Sequence, residues 1–181
     1  MLVATLVVWP PPGNFLKGES MQSRITNSIP DTAIRMPDRL EAETELTKSL
    51  ESYIHLEVEL LNLTLLAHWN ASGINFHDFH KLTEEQYKAS LDNIDDVAER
   101  KRALGSRVHS LLASKKDSRF QSHNTKLMAR DLSAYHIQLS VAAKKIHKLA
   151  EAEQDIATAD LLAKLVSYHE KQAWILGCSA A

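Results

Sequence analysis

His68 to Gly105 reads HWNASGINFHDFHKLTEEQYKASLDNIDDVAERKRALG. From Phe79 to Leu104 the stretch holds neither Gly nor Pro, so its simplest reading is one long helix. On a helix each residue turns by 100° and rises by about 1.5 Å, which places His80, Glu84, Asp95 and Glu99 within a stripe roughly 100° wide. His80 and Asp95 are nevertheless fifteen residues apart, or about 22 Å along the axis. Metal–ligand bonds measure only about 2.0–2.2 Å. One ion therefore cannot be held by both ends of this helix. If both ends are ligands, they meet across two antiparallel copies related by a two-fold axis.

The rest of the chain is helical in composition. It has 181 residues, five Gly and five Pro, and all the prolines (Pro10, Pro11, Pro12, Pro30 and Pro37) precede residue 40. After that point Ala, Leu, Glu and Lys dominate, which favours helix over strand. A net charge of −2 gives no general attraction to nucleic acid or to anionic lipid. Cys178 is alone, so an internal disulfide is excluded and a reducing, cytoplasmic setting is expected. The apolar start MLVATLVVW is too short to span a bilayer and lacks the basic and small-residue flanks of a secretory signal. Met21 offers an alternative start, which would make residues 1–20 an upstream extension. Residues 1–37 read as a flexible tail, and 38–178 as one helical domain.

Four long helices are expected. Asp38 and Glu41 have capping-box spacing, and beyond them Leu46, Leu50, Tyr53, Ile54, Leu61 and Leu65 form one apolar face running to about His68. Asn70 to Asn75, with Gly73, supplies a turn into the second helix, which ends at Leu104-Gly105. Val108 to Ser114 suggests a short extra helix within a long connection between helices 2 and 3. Met128, Leu132, Tyr135, Leu139, Ala142, Ile146 and Leu149 mark the third helix by steps of four and three, the seam of a bundle. The fourth runs from about Asp155 to Gly177, with Leu161, Leu162, Leu165 and Leu176 inward. The fold class is all-α, a four-helix bundle with a crossover connection.

A lone His or Glu on a helix is usually a solvated or hydrogen-bonded residue. Here His80/Glu84 and Asp95/Glu99 are both one turn apart, and His68 lies one loop from His80. Unpaired carboxylates on a face buried against another copy are costly, and a metal removes that cost. The mixed N/O set suits Fe, Zn, Mn or Co without choosing among them. No helix carries a Glu-x-x-His pair, the mark of a di-iron centre inside one bundle.

At these residues the sequence resembles the Dps family, the DNA-binding proteins of starved cells or mini-ferritins. The resemblance spans roughly residues 40–178. It rests on AHWN at Ala67–Asn70, Gly73, NF at Asn75–Phe76, His80, and DDVAER with ALG between Asp95 and Gly105. The spacing His-x11-His-x14-Asp-x3-Glu matches the family's ferroxidase centre, and HEKQAW at His169–Trp174 is similar to its fourth-helix motif. The resemblance implies ferritin-like subunits assembled as a hollow dodecamer. It implies a ferroxidase centre at each two-fold interface, with His68 and His80 from one subunit and Asp95 and Glu99 from its partner. Glu99 would bridge two metal positions, and Glu84 would act weakly or through water. The implied reaction oxidises Fe(II) to Fe(III), preferentially with hydrogen peroxide, and stores ferric mineral.

Further positions follow from the same resemblance. Trp69 would take up stray oxidising equivalents or pack the interface, and Trp174 would pack. His169 is either an additional metal ligand or a hydrogen-bonded core histidine. Asp155 and Asp160 match positions lining acidic iron-entry pores, although both also suit a helix N-terminus. His77, His109, His123, His136 and His147 carry no assigned role and are expected mostly at the surface. Direct DNA binding has weak support, because Lys17, Arg24, Arg35 and Arg39 are offset by Glu19, Asp31 and Asp38. The alternative is a DNA-compacting, nucleoid-associated architectural protein with a vestigial or zinc-occupied metal site.

Overall fold

A computed structural model describes residues 43–109, 111 and 124–181. These form four helices: α1 (Glu45–Asn70), α2 (Phe76–Ala103), α3 (Thr125–Ala152) and α4 (Ile156–Ala180). Among the described residues there is no strand, only an isolated bridge between Ser72 and Asn124. The tail expected over residues 1–37 lies outside the described residues.

Side-chain links between helix ends define the topology. Lys101 near the end of α2 pairs with Glu43 and Glu51 at the start of α1, so α1 and α2 are antiparallel. The bridge from Ser72 to Asn124 sets the start of α3 beside the end of α1. The end of α2 and the start of α3 therefore lie at opposite ends of the bundle. Arg100 of α2 pairs with Asp155 at the start of α4, and Lys126 of α3 reaches the carbonyl of Ala181. The order is up, down, down, up. Close backbone contacts join α1 to α2, α1 to α3 and α3 to α4, with a looser contact between α2 and α4. α1 and α4 thus face each other across the bundle diagonal.

One helix boundary departs from the sequence reading, and one expected short helix is not shown. α1 begins at Glu45, because Thr44 and Thr47 form a reciprocal capping box: the Thr47 N–H donates to Thr44 Oγ1 (3.2 Å) and the Thr44 N–H to Thr47 Oγ1 (2.9 Å). A hydroxyl at the third position does what Glu usually does there. Asp38 and Glu41 lie outside the described residues. The short helix expected over Val108–Ser114 is not seen: Val108, His109 and Leu111 are irregular, and residues 110 and 112–114 are outside the described residues. Gly73 (φ +106°) and Gly105 (φ +83°) do sit in the left-handed region that the turn and the α2 terminus require.

The core is assembled from the expected faces, with local drift. Leu46, Leu50, Tyr53 and Ile54 of α1 are buried, as are Met128, Leu132, Tyr135, Leu139 and Ile146 of α3 and Leu162, Leu165 and Leu176 of α4. Leu61, Leu65 and Leu161 are only half-buried, and Leu63 is buried. Ala142 and Leu149 are half-buried, while the adjacent Ala143 and Ala150 are fully enclosed. A straight helix drifts about 20° per heptad from a 3.5-residue repeat, so the buried line moves by one position. The interior of α2 is unusually polar, with Thr83, Gln86, Ser90 and Lys101 all buried. Among the described residues no helix is long and apolar enough to cross a membrane.

The α3–α4 turn places Gln154 at φ +59°. A side chain there costs roughly 1–2 kcal/mol relative to the right-handed region. Gln154→Gly should therefore raise unfolding free energy by about 1 kcal/mol, read from the urea midpoint. An unchanged or lowered midpoint would show that Gln154 makes compensating contacts.

Candidate metal centre

His68 occupies the last turn of α1, and His80 the second turn of α2. The Gly73 turn folds them together into a reciprocal clasp. His68 Nδ1 donates to the carbonyl of His80 (3.0 Å), and His80 Nδ1 donates to the carbonyl of His68 (3.0 Å). The rings stack with centroids 3.7 Å apart and planes 18° from parallel. A carbonyl only accepts, so each neutral ring carries its proton on Nδ1 and keeps a lone pair on Nε2. Among the described residues neither Nε2 has a hydrogen-bond partner. Backbone orientation of one ring nitrogen is how metal-binding imidazoles are fixed.

Three neighbours steady this pair, and sequence reasoning missed two of them, Thr83 and Tyr87. The Thr83 hydroxyl donates to the carbonyl of Phe79 (2.8 Å) and lies 3.3 Å from His68 Nδ1. Tyr87 packs its ring edge-on to His68 at 5.3 Å, and Phe76 lies 5.0 Å from His80. Thr83 and Tyr87 follow His80 by three and seven residues. That helical spacing was the available signal.

Glu84 lies one turn beyond His80, and its Oε1 accepts from Lys88 at 2.6 Å. That hydrogen bond, with smaller contributions from the Lys88 charge and the two imidazoles, holds the Glu84 carboxyl below the usual carboxylate range. Asp95 and Glu99 sit farther along α2, both exposed, and among the described residues neither side chain has a partner. Among the described residues no group of three or more His, Cys, Asp or Glu side chains within one chain is arranged to hold a metal ion. The structure brings His68 and His80 together, and leaves Asp95 and Glu99 as a separate pair.

The other candidate positions are placed as follows. Trp69 and Trp174 are both exposed, so neither packs within the chain. Asp155 is the N-cap of α4, where Oδ1 accepts from the Thr158 N–H (3.1 Å) and from Arg100 (2.7 Å). Burial works to raise the Asp155 carboxyl, but hydrogen bonds from Arg100 and Thr158 outweigh it and hold it below its ordinary value. Asp160 is exposed and paired with Lys164 at 2.7 Å. His169 is fully buried, with both ring nitrogens engaged by Glu57, Tyr53 and His136, the core-histidine arrangement. His136 departs from the expected surface position and is also fully buried. His77 and His109 are exposed and His147 is half-buried, whereas His123 is outside the described residues.

The helical order and the imidazole–carboxylate face define a ferritin-like protein, and the ferritin-like domain family matches residues 47–177. A DNA protection during starvation protein of Helicobacter pylori is 32% identical over 143 residues, covering 71% of this chain and 96% of its own. The Dps structure from Thermosynechococcus elongatus superposes with a TM-score of 0.68 at 28% identity, over 76% of this chain and 90% of that one. The Dps of Vibrio cholerae, described as a member of a broad superfamily of ferritin-like diiron-carboxylate proteins, gives a TM-score of 0.70 at 25% identity over 76% and 89%. The chain belongs to the Dps family.

The clasp makes a spectroscopic prediction. With both rings neutral, 15N spectra should show His68 and His80 protonated at Nδ1 and bare at Nε2. An Nε2–H tautomer for either ring would break the clasp and remove the corresponding lone pair from the site.

Proposed function

We propose that the protein oxidises Fe(II) to Fe(III) at centres shared by two subunits and stores the ferric product inside a hollow dodecamer. The observation that carries this reading is the His68–His80 clasp, which stacks the two rings and leaves both Nε2 lone pairs unbonded. The chain offers imidazole donors at one end of α2 and unpaired carboxylates about 22 Å along it. A two-fold axis would bring one subunit's His68, His80 and Glu84 to Asp95 and Glu99 of the partner subunit. Glu84 would contribute its second oxygen directly or through water, and Glu99 would lie between two iron positions. Trp69, beside His68, lies on the surface such an assembly would bury.

Iron is the substrate. Two Fe(II) ions give up one electron each, and hydrogen peroxide takes both electrons with two protons, its O–O bond breaking to give two waters. The imidazoles orient the ferrous ions, and the carboxylates favour the harder ferric product. Removing Fe(II) and peroxide together protects DNA without contact with it, because both are consumed before they generate hydroxyl radical. Asp160 would help draw Fe(II) into an entry pore. Asp155, committed to the α4 cap and to Arg100, would contribute mainly by holding the pore wall in place.

Shared sites are tested by mixing. A His68→Ala/His80→Ala protein and an Asp95→Ala/Glu99→Ala protein should each lack peroxide-driven Fe(II) oxidation. After 1:1 disassembly and reassembly, roughly a quarter of the centres should be intact, since half of the pairs are mixed and half of the sites in those pairs are complete. No recovery despite mixing shown by mass spectrometry would place all ligands in one subunit.

The two aspartates separate by a second comparison. Asp160→Asn should slow iron uptake several-fold with unchanged stability, whereas Asp155→Ala should also cost about 1–2 kcal/mol of stability through the lost cap. Wild-type uptake in Asp160→Asn would remove that residue from the entry path.

A further inference from the structure

Inside the bundle, α1, α3 and α4 carry four titratable side chains into one hydrogen-bonded chain. Tyr53, Glu57, His136 and His169 are all 0% exposed. Glu57 Oε1 lies 2.7 Å from His169 Nε2 and 3.3 Å from the Tyr53 hydroxyl, which is itself 2.9 Å from His169 Nε2. On the other side of the ring, His169 Nδ1 lies 2.9 Å from His136 Nδ1. From α2 the uncharged Asn93 reaches Glu57 Oε1 at 3.5 Å. Tyr168 of α4 packs edge-on to both imidazoles, at 6.1 Å from His136 and 5.0 Å from His169. Because α1 and α4 are diagonal, the Glu57–His169 bond crosses the centre of the bundle. Close backbone packing ties α4 mainly to α3.

Proton accounting shows what this chain accepts. Two ring nitrogens 2.9 Å apart share one proton, so one donates and the other accepts. With the Glu57 carboxylate receiving the His169 Nε2–H, neutral His169 offers Nδ1 as an acceptor and His136 supplies Nδ1–H. One negative charge then lies in a dry core. Protonating His136 would make both of its ring nitrogens donors, and the new Nε2–H would face no acceptor. His136 Nε2 and Glu57 Oε2 are both buried without a hydrogen-bond partner. Burial first, and the charge of His169 second, push His136 down to about 3. The buried tyrosine hydroxyls are pushed upward, by desolvation first and by Glu57 second, and stay protonated.

The sign follows. In the open chain His136 takes a proton below its ordinary value of 6.5, and in the closed core it refuses one until about 3. Closure is therefore fully favoured above 6.5 and weakens as pH falls between these values. Opening takes up one extra proton, so its equilibrium constant grows about tenfold per pH unit below 6.5.

We propose that Tyr53, Glu57, His169 and His136 form an acid-sensitive lock on α4, holding it across the bundle while His136 is neutral and releasing it when acid protonates His136. The lock is separate from the candidate metal centre. None of its members contacts His68, His80, Glu84, Asp95 or Glu99. It gives the assembled particle a built-in response to acid that needs no metal chemistry.

Hydrogen–deuterium exchange of the assembled, iron-free full chain at pH 7 and pH 4.5, corrected for intrinsic rates, tests this. In the wild type, α4 peptides between Ile156 and Ala180 should open about a hundredfold more often at pH 4.5, ahead of peptides from α2. His136→Asn keeps a donor near the Nδ1 position but cannot take the proton, and its α4 exchange should be nearly flat with pH. Equal pH dependence in the two proteins, or equal opening of α2 and α4, would overturn the lock. A 15N titration of wild-type His136 needs no variant. The ring should stay neutral in the folded protein down to about pH 4, and an ordinary midpoint near 6.5 would refute the assignment.

Discussion

The rise of about 1.5 Å per residue along a helix constrains everything α2 can do. It separates His80 from Asp95 by about 22 Å, far beyond the reach of one ion, so in a single chain the imidazole pair and the carboxylate pair stand apart. The four-helix topology makes the separation useful. The clasp at one end of α2 is built against the end of α1, and the Lys101 ion pairs at the other end are built against its beginning. Both ends of α2 are thereby fixed, and the exposed stripe between them is presented as a rigid edge. Assembly, rather than folding of one chain, would then bring the imidazoles and the carboxylates together.

Much of this was legible because helical periodicity is a strong signal. The Gly73 turn and the buried faces of α1, α3 and α4 follow from spacing and composition, whereas the polar interior of α2 does not. What was not legible depends on partners distant in sequence. Lys101 looks like a surface cation at the end of a charged run, and is buried only because Glu51 of α1 and Glu43 just before it meet it there. Thr44 was passed over because its partner Thr47 is not the acidic residue of the usual box. The seam residues Ala142 and Leu149 were displaced by one position, since a 3.5-residue pattern and a straight helix part company over several turns.

The polar interior of α2 reflects a balance rather than a defect. Gln86 reaches Gln172 of α4 at 2.9 Å, and Arg100 reaches Asp155 and Thr158 at 2.7 Å each. These links line the looser seam between α2 and α4. Apolar side chains there would adhere in several registers, whereas paired polar groups are satisfied in one alignment and costly in others. Bundle geometry is thereby specified where close packing does not specify it.

Histidine shows most clearly why residue type alone does not decide chemistry. His68 and His80 spend one nitrogen each on a backbone carbonyl, which fixes a tautomer and leaves the other nitrogen basic and unbonded. His169 meets a carboxylate on one side and an imidazole on the other, so both of its nitrogens are consumed. A sequence shows each as an inward-facing histidine on an amphipathic helix. The first pair suits a cation from outside the chain because its hydrogen-bond partners are neutral acceptors that ask for only one proton per ring. The second holds protons instead, because Glu57 supplies the negative charge that a metal would otherwise be needed to balance.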